Sequence, residues 1–233
     1  MQVKPVSVTG TARRLQIIAG TVAVIAEQGY DRASFARIAE RAGISSTRLI
    51  SYHFAGKSEL MAAVAAEVIT SIGVWTGRRV AAEESAAGQL RAYIEATVAF
   101  IDQHRDQMAA LTGILLAGAL EYSADDDGAA GAPLEDILRR GQAAGEFRPF
   151  DPLVMSAAVQ RCVDGLPFLL QREPELDCRR YAAELVTLFE LGTSAGPGPP
   201  RCSAGEQAGE PAADRASGSS AGRETGAAVD GAR

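Results

Sequence analysis

Gly56-Lys57-Ser58 sits inside the stretch HFAGKSEL and puts a lysine where a helix is about to begin. A lysine beside the free N–H groups of a first helical turn suits a phosphate. The nucleotide-cradling loop needs Gly-x-x-x-x-Gly-Lys-[Ser/Thr] after a strand. Here Ser51 stands where the first glycine belongs, and the preceding RIAERAGISSTRLISYHF reads as helix, turn, helix. That excludes the nucleotide loop. Lys57 is left to meet a phosphate of another kind, or to be a solvated surface lysine.

The elements around Lys57 narrow the choice. Leu15, Ile18, Val22 and Ile25 step at helical spacing, and Gly29 ends that first helix. Ser34 is an N-cap for a short second helix with Phe35, Ile38, Ala39 and Ala42 inward. Small Ala39 and Ala42 let a neighbour approach, Gly43 permits a positive φ at the turn, and Ile44 plugs the angle. A third helix from Ser45 or Ser46 to His53 buries Leu49 or Ile50, with Phe54 closing the core. Its outer face carries Ser46, Thr47, Arg48, Ser51 and Tyr52. Short hydroxyls and an arginine suit base edges and phosphates in a major groove. The alternative is a three-helix packing unit with a solvated third helix.

Charge is unevenly spread. Residues 1–60 hold eight basic and four acidic residues, whereas the whole chain carries a net -6. A basic end on an acidic body points to a polyanionic partner. Cys162, Cys178 and Cys202 have no metal or redox spacing, and His53 and His104 lie far apart, so no metal site is expected. No acid/base pair or nucleophile constellation suggests an enzyme, and no cofactor is expected. The start MQVKPVSVTGTARR lacks an apolar signal core, and the apolar runs look too broken to span a membrane. A soluble cytoplasmic protein is the expectation.

Downstream, the pattern predicts only helices. One starts near Lys57 with Leu60, Val64, Val68, Ile72 and Trp75 buried. Others follow on Leu90–Ile101, from Arg105 to Tyr122, from Pro133 to near Gly145, and from Pro152 to Arg172 with a kink at Pro167. A last one is capped by Asp177, with Tyr181, Leu185, Leu188 and Phe189 inward or toward a partner. SADDDGAAGA reads as a loop. From Thr193 on, Val229 is the only large aliphatic and no aromatic occurs, so 193–233 reads as a disordered tail. The expected fold is all-α, with about nine helices.

SFARIAERAGIS…LISYHFAGKSEL resembles the DNA-binding domain of the TetR transcriptional regulators. Ile38, Ala39, Ala42, Gly43, Ile44 and Ser45, then Ile50, Tyr52, His53, Phe54, Lys57 and Leu60, carry the likeness over about residues 11–60. GQAAGEFRPFDP (141–152) is a weaker echo, similar to the stretch joining the last ligand-domain helices. Two departures stand out. Gly43 and Phe54 are one residue further apart than the family has them, so a residue is absorbed at the turn or the start of the third helix. Ser51 stands where the family usually has tyrosine.

The resemblance implies a flexible arm (1–10), a helix-turn-helix domain (11–58), a helical ligand-binding and dimerisation domain (59–192) and the tail. It implies a ligand-responsive homodimeric regulator, a repressor of palindromic operators. The DNA-facing candidates are Arg13, Arg14, Ser34, Arg37, Ser45, Ser46, Thr47, Arg48, Ser51, Tyr52, His53 and Lys57, with Lys57 facing the backbone from the first turn of its helix. A pocket for a small-molecule effector would draw on Trp75, Phe100, Met108, Leu111, Leu115, Tyr122 and Phe168, with Gln160 or Asp164 as polar anchors. All of these serve equally as core. The last two helices, with Ala157, Ala158, Leu166, Leu169, Leu185 and Leu188, would pair with their copies or fill the chain's own core. Two other readings stay open. One is a helical small-molecule-binding protein or enzyme that keeps the scaffold without operator binding. The other is a dimeric adaptor working through its tail.

Overall fold

The computed structural model describes residues 8–120 and 124–195, which fall within one compact unit, Met1–Gly198. In chain order the helices are α1 (Val8–Gln28), α2 (Phe35–Arg41), α3 (Thr47–His53), α4 (Lys57–Val80), α5 (Ala86–Gln103) and α6 (Arg105–Leu116). They continue with α7 (Ala124–Ala143), α8 (Pro152–Asp164), α9 (Leu166–Arg172) and α10 (Cys178–Thr193). A 3-10 turn, Tyr30–Arg32, follows α1. Among the described residues the only β pairing is an isolated bridge between Phe147 and Ser194. The fold is all-α, and the nine expected helices are present once α8 and α9 are counted as two halves of one.

Two hydrophobic clusters organise the helices. The first gathers Ile17, Val24, Ile38, Ile50, Phe54, Leu60 and Val64, and takes in Ala110 and Ile114 of α6. The second gathers Val68, Leu90, Ile94, Phe100, Leu138, Val163, Leu166 and Phe189. Burial of this kind stabilises by about 25 cal/mol per Å² of apolar surface. Packing changes hands within α4, between Val64 and Ala65, so α4 and α6 tie the helix-turn-helix segment to the rest.

Several sequence expectations need correction. The inward face of α1 centres on Ile17, Thr21 and Val24, while Leu15 is 44% exposed. Four residues cannot fix a face to better than one position. The helix already begins at Val8, inside the segment read as an arm. α6 stops at Leu116 rather than Tyr122, because Gly118 takes φ +61 and Ala119 N–H bonds back to Ile114. Tyr122 itself lies outside the described residues. α7 starts at Ala124, inside the expected loop, and contains Pro133 rather than beginning there. Aspartate, glycine and alanine suit a loop and a helix start alike. The expected kink in the helix after Pro152 is present: a single residue, Gly165, still αR, separates α8 from α9, since Pro167 can donate no N–H to the turn before it.

Residues 193–195, read as the start of the tail, belong to the body. Thr193 is buried in α10 and its carbonyl accepts the Arg148 N–H at 2.9 Å. The remainder of the tail reading falls outside the described residues. Leu166 and Leu185 face this chain's own core, whereas Ala157, Ala158 and Leu188 face outward. Finally, α4 and the run 152–172 reach mean hydropathies of 1.5 and 1.4, long and apolar enough by composition to cross a membrane. Alanine, valine and leucine raise the average without a continuous greasy run. Both helices lodge one face in the clusters above, as core helices do.

Candidate nucleic-acid interface

The site is built from short helices whose ends are satisfied nearby. At the start of α2, Ser34 is extended (φ -91°, ψ 154°) and its Oγ accepts the Arg37 N–H at 3.4 Å. Arg37 is exposed and donates to the Arg32 carbonyl at 3.3 Å. At the other end Gly43 adopts φ +64°; its N–H reaches the Glu40 carbonyl, and the Ile44 N–H reaches Ala39. This pair of bonds closes the helix with a left-handed residue that a β-carbon would strain. Gly20 of α1 lies against the turn so closely that a Cβ there would sit 2.6 Å from the Ala42 Cβ.

The stretch between Gly43 and Phe54 has α3 beginning at Thr47, after Ile44, Ser45 and Ser46. Ser46 is the N-cap, extended and accepting the Arg48 N–H at 3.2 Å, and Ser45 occupies the exposed turn before it. The helix itself is uninterrupted. Ile50 is fully buried and Phe54 nearly so, which fixes the opposite side outward. Thr47, Arg48, Ser51 and Tyr52 are exposed, Tyr52 to 77%. Among the described residues the Arg48 guanidinium has no hydrogen bond or ion pair. Tyr52 and the half-buried His53 meet edge to face at 5.1 Å. An exposed row of hydroxyls, one phenol and an unpaired cation can contact both phosphates and base edges.

The other candidate cations are engaged within the protein. Lys57, in the first turn of α4, donates to the Tyr30 carbonyl at 3.3 Å and lies 4.2 Å from that ring's centre. Arg13 donates to Gln16 Oε1 at 2.6 Å, and Gln16 Nε2 donates to the Ala42 carbonyl at 2.6 Å. Arg14 donates to the His53 carbonyl at 2.9 Å and covers the Phe54 ring at 4.2 Å. Gln16 and Glu59 were missed in the sequence. Each lies within a turn of a helix end or a partner arginine, but nothing local marks which distant carbonyl it serves.

The effector-pocket candidates are scattered. Phe100, Met108 and Leu111 are buried in the second cluster, and Trp75 is packed against it with its Nε1 donating to Ala96 at 3.0 Å. Leu115 and Phe168 are exposed. Gln160 accepts from the Tyr93 hydroxyl and donates to Asp164 at 2.8 Å. Burial, with Asp164 contributing less, pushes the Tyr93 phenol up to about 12. The larger cavity, about 700 Å³, is an open groove between α1, α4 and the α5–α6 corner, lined among others by Leu15, Glu67, Asp102 and His104. A second of about 130 Å³ touches Met108 and Leu170. Arg105 holds the Asp102 carboxyl below its usual range, and burial raises the Cys178 thiol beside it.

The profile described as "Bacterial regulatory proteins, tetR family" matches residues 17–64, from within α1 to α4. The HTH-type transcriptional regulator BetI 1 of Chromohalobacter salexigens is 37% identical over 84 residues, which span 36% of this chain and 41% of that relative. A TetR family transcription regulator from Marinobacter aquaeolei VT8 superposes with TM-score 0.66 at 13% identity, over 80% of this chain and 97% of its own. The structure of AibR in complex with isovaleryl coenzyme A and operator DNA gives TM-score 0.61 at 17% identity, over 76% and 97%. At such identities the likeness establishes the fold alone, and it extends well past the DNA-binding segment. The motif residues, the helix-turn-helix geometry and the family profile thus coincide on α1 to α4, so residues 17–64 form a helix-turn-helix segment of the tetR-family kind.

Proposed function

We propose that this chain is a sequence-specific, DNA-binding transcriptional regulator, a repressor released when a small molecule binds its C-terminal helices. The outward face of α3 carries the reading: Thr47, Arg48, Ser51 and Tyr52 stand exposed on a helix locked from behind by Ile50 and Phe54. Arg48 reads a base edge or phosphate. Ser34, Arg37, Ser45, Ser46, His53, Lys57 and Arg13 flank it toward the backbone. Such flanking contacts set register and add salt-dependent affinity. The protein works in the cytoplasm, where DNA is accessible, and catalyses no reaction.

Two copies join through α8, α9 and α10. Val154, Phe168, Leu188 and Leu191 are exposed there, the last to 73%, apolar side chains that a homodimer would cover. A twofold axis then sets two α3 helices about one DNA turn apart, roughly 35 Å, on a palindromic operator. The effector lies among Trp75, Phe100, Met108 and Leu111, and acts by preferring one arrangement of the two DNA-binding segments. Selection of duplexes from a random library by the full chain tests the reading. A palindromic consensus is expected, and Arg48→Ala should weaken its binding by about tenfold or more. Recovery of no consensus would overturn it.

A further inference from the structure

We propose that Arg14 is a positioning residue for the DNA-reading helix rather than a contact to DNA phosphate; this rests on the DNA-binding reading above. The helix it holds is α3, seven residues long. A helix that short has little stability of its own, so its pose depends on what grips its ends. The last carbonyls of any helix lack internal partners. At α3 the His53 carbonyl is one of these, and Arg14 Nη1 donates to it from α1 at 2.9 Å. The same guanidinium covers the Phe54 ring at 4.2 Å. It thus meets the helix end with positive charge, where the dipole favours a cation.

Glu59 completes the grip. Its Oε1 lies 3.6 Å from Arg14 Nη1, and its Oε2 accepts the Ala55 N–H at 2.6 Å. One carboxylate therefore joins α1, α4 and the link that leaves α3. Gln16, on the same stretch of α1, donates to the Ala42 carbonyl at the end of α2. The first helix thereby holds the final turns of both α2 and α3. Arg14 spends its charge on a carbonyl, a ring and a carboxylate, all within the protein.

The two roles separate experimentally. A phosphate contact adds equally to operator and random DNA and steepens the salt dependence; a positioning residue supports only the sequence-specific part. Arg14→Lys keeps the charge but lacks the planar guanidinium that covers the Phe54 ring while donating to the His53 carbonyl. Operator affinity, on a duplex selected by the wild-type chain, should fall about tenfold or more in this variant, as losing a charged hydrogen bond implies. Affinity for random duplex should change less than about twofold, with the salt slope unaltered. Glu59→Gln, which adds no negative charge, should show the same selective loss. In the free protein, amide exchange at Ser51–Ala55 should quicken in both variants while α5 is unchanged. Equal loss on both DNAs in Arg14→Gln with a salt slope shallower by about 0.9, and operator binding retained in Arg14→Lys, would make Arg14 a phosphate contact and sink the proposal. A wild-type chain that selects no duplex refutes the DNA-binding reading, whereas unchanged exchange in the free variants refutes the positioning role by itself.

Discussion

The two hydrophobic clusters end their helices in different ways. Around the first, the short helices start on local caps, Ser34 and Ser46 serving N–H groups two or three residues on, and Gly43 turns the chain at φ +64°, while their last carbonyls are met by Gln16 and Arg14 of α1. Around the second, local caps at Ser85, Asp151 and Asp177 are joined by partners from further along the chain. Glu146 accepts the Ala86 and Ala87 N–H groups at the start of α5. Arg148 donates to the Gly192 carbonyl, and Arg105 to that of Pro174. The helix-turn-helix segment thus draws its end partners from within residues 14–59. A body closed by distant bonds can vary its cavity while remaining a bundle.

If α4 and α6 weld the clusters together, damage to the first should be felt by both. Phe54→Ala empties a fully packed site, and a loss of about 3–5 kcal/mol is expected. Urea unfolding followed by Trp75 fluorescence, which reports the second cluster, and by circular dichroism should shift as one transition. An early dichroic phase with Trp75 fluorescence unmoved would mean that the clusters unfold separately.

The second cluster makes its own prediction at high pH. The Tyr93 phenol is raised to about 12 in the folded chain, against an ordinary value near 10. Between those values the unfolded chain has released the proton and the folded chain still holds it. The stabilisation is therefore complete below pH 10 and lost as pH climbs toward 12, by about 2–3 kcal/mol in all. Tyr93→Phe should flatten that part of the stability curve. An unchanged slope would mean that Tyr93 does not carry the alkaline loss.

The same contrast explains what could be read from residues alone. Caps, turn glycines and the apolar spacing of α2 and α3 act over three or four positions, so Ser34, Gly43 and Phe54 were legible with their roles, and Ile50 only as an alternative to Leu49. So were Asp151 and Asp177, whose carboxylates accept the first N–H groups of α8 and α10. Where bonding is distant, legibility failed. No local rule says that Gln16 serves Ala42, that Arg14 serves His53, or that Thr193 is fastened to Arg148. The boundaries of α6 and α7 were misjudged because glycine and aspartate suit loops and helix ends alike. The pocket candidates were chosen as large apolar residues, a property shared by every core position.

Glycines sharpen the comparison on a smaller scale. A Cβ at Gly141 would run into the Phe147 ring and approach the Ala86 Cβ at 2.9 Å. Gly141→Ala should therefore destabilise by about 1–3 kcal/mol, despite the better helix propensity of alanine. At Gly73, within α4, nothing lies within 4 Å of the added methyl, so Gly73→Ala should stabilise by about 0.5–1 kcal/mol. Equal effects at the two sites would show that propensity, rather than the seam between α7, Phe147 and α5, governs Gly141.

The smallest effect decides how the inserted residue is accommodated. Ser45 and Ser46 are chemically identical neighbours, and either could cap α3 on sequence grounds. The backbone puts Ser46 in the extended conformation, with its Oγ 3.2 Å from the Arg48 nitrogen, and leaves Ser45 in the preceding turn. Ser46→Ala should cost about 1 kcal/mol in urea unfolding, whereas Ser45→Ala should stay within about 0.5 kcal/mol of wild type. Reversed values would start the helix one residue earlier and move the insertion into it. Arg48, Ser51 and Tyr52 would keep their places relative to Ile50, since successive residues of one helix stay about 100° apart wherever it begins. Which of two adjacent hydroxyls holds the first turn therefore decides only how Ser45 and Ser46 are presented, while buried Ile50 and Phe54 keep the outward face of α3 where it is.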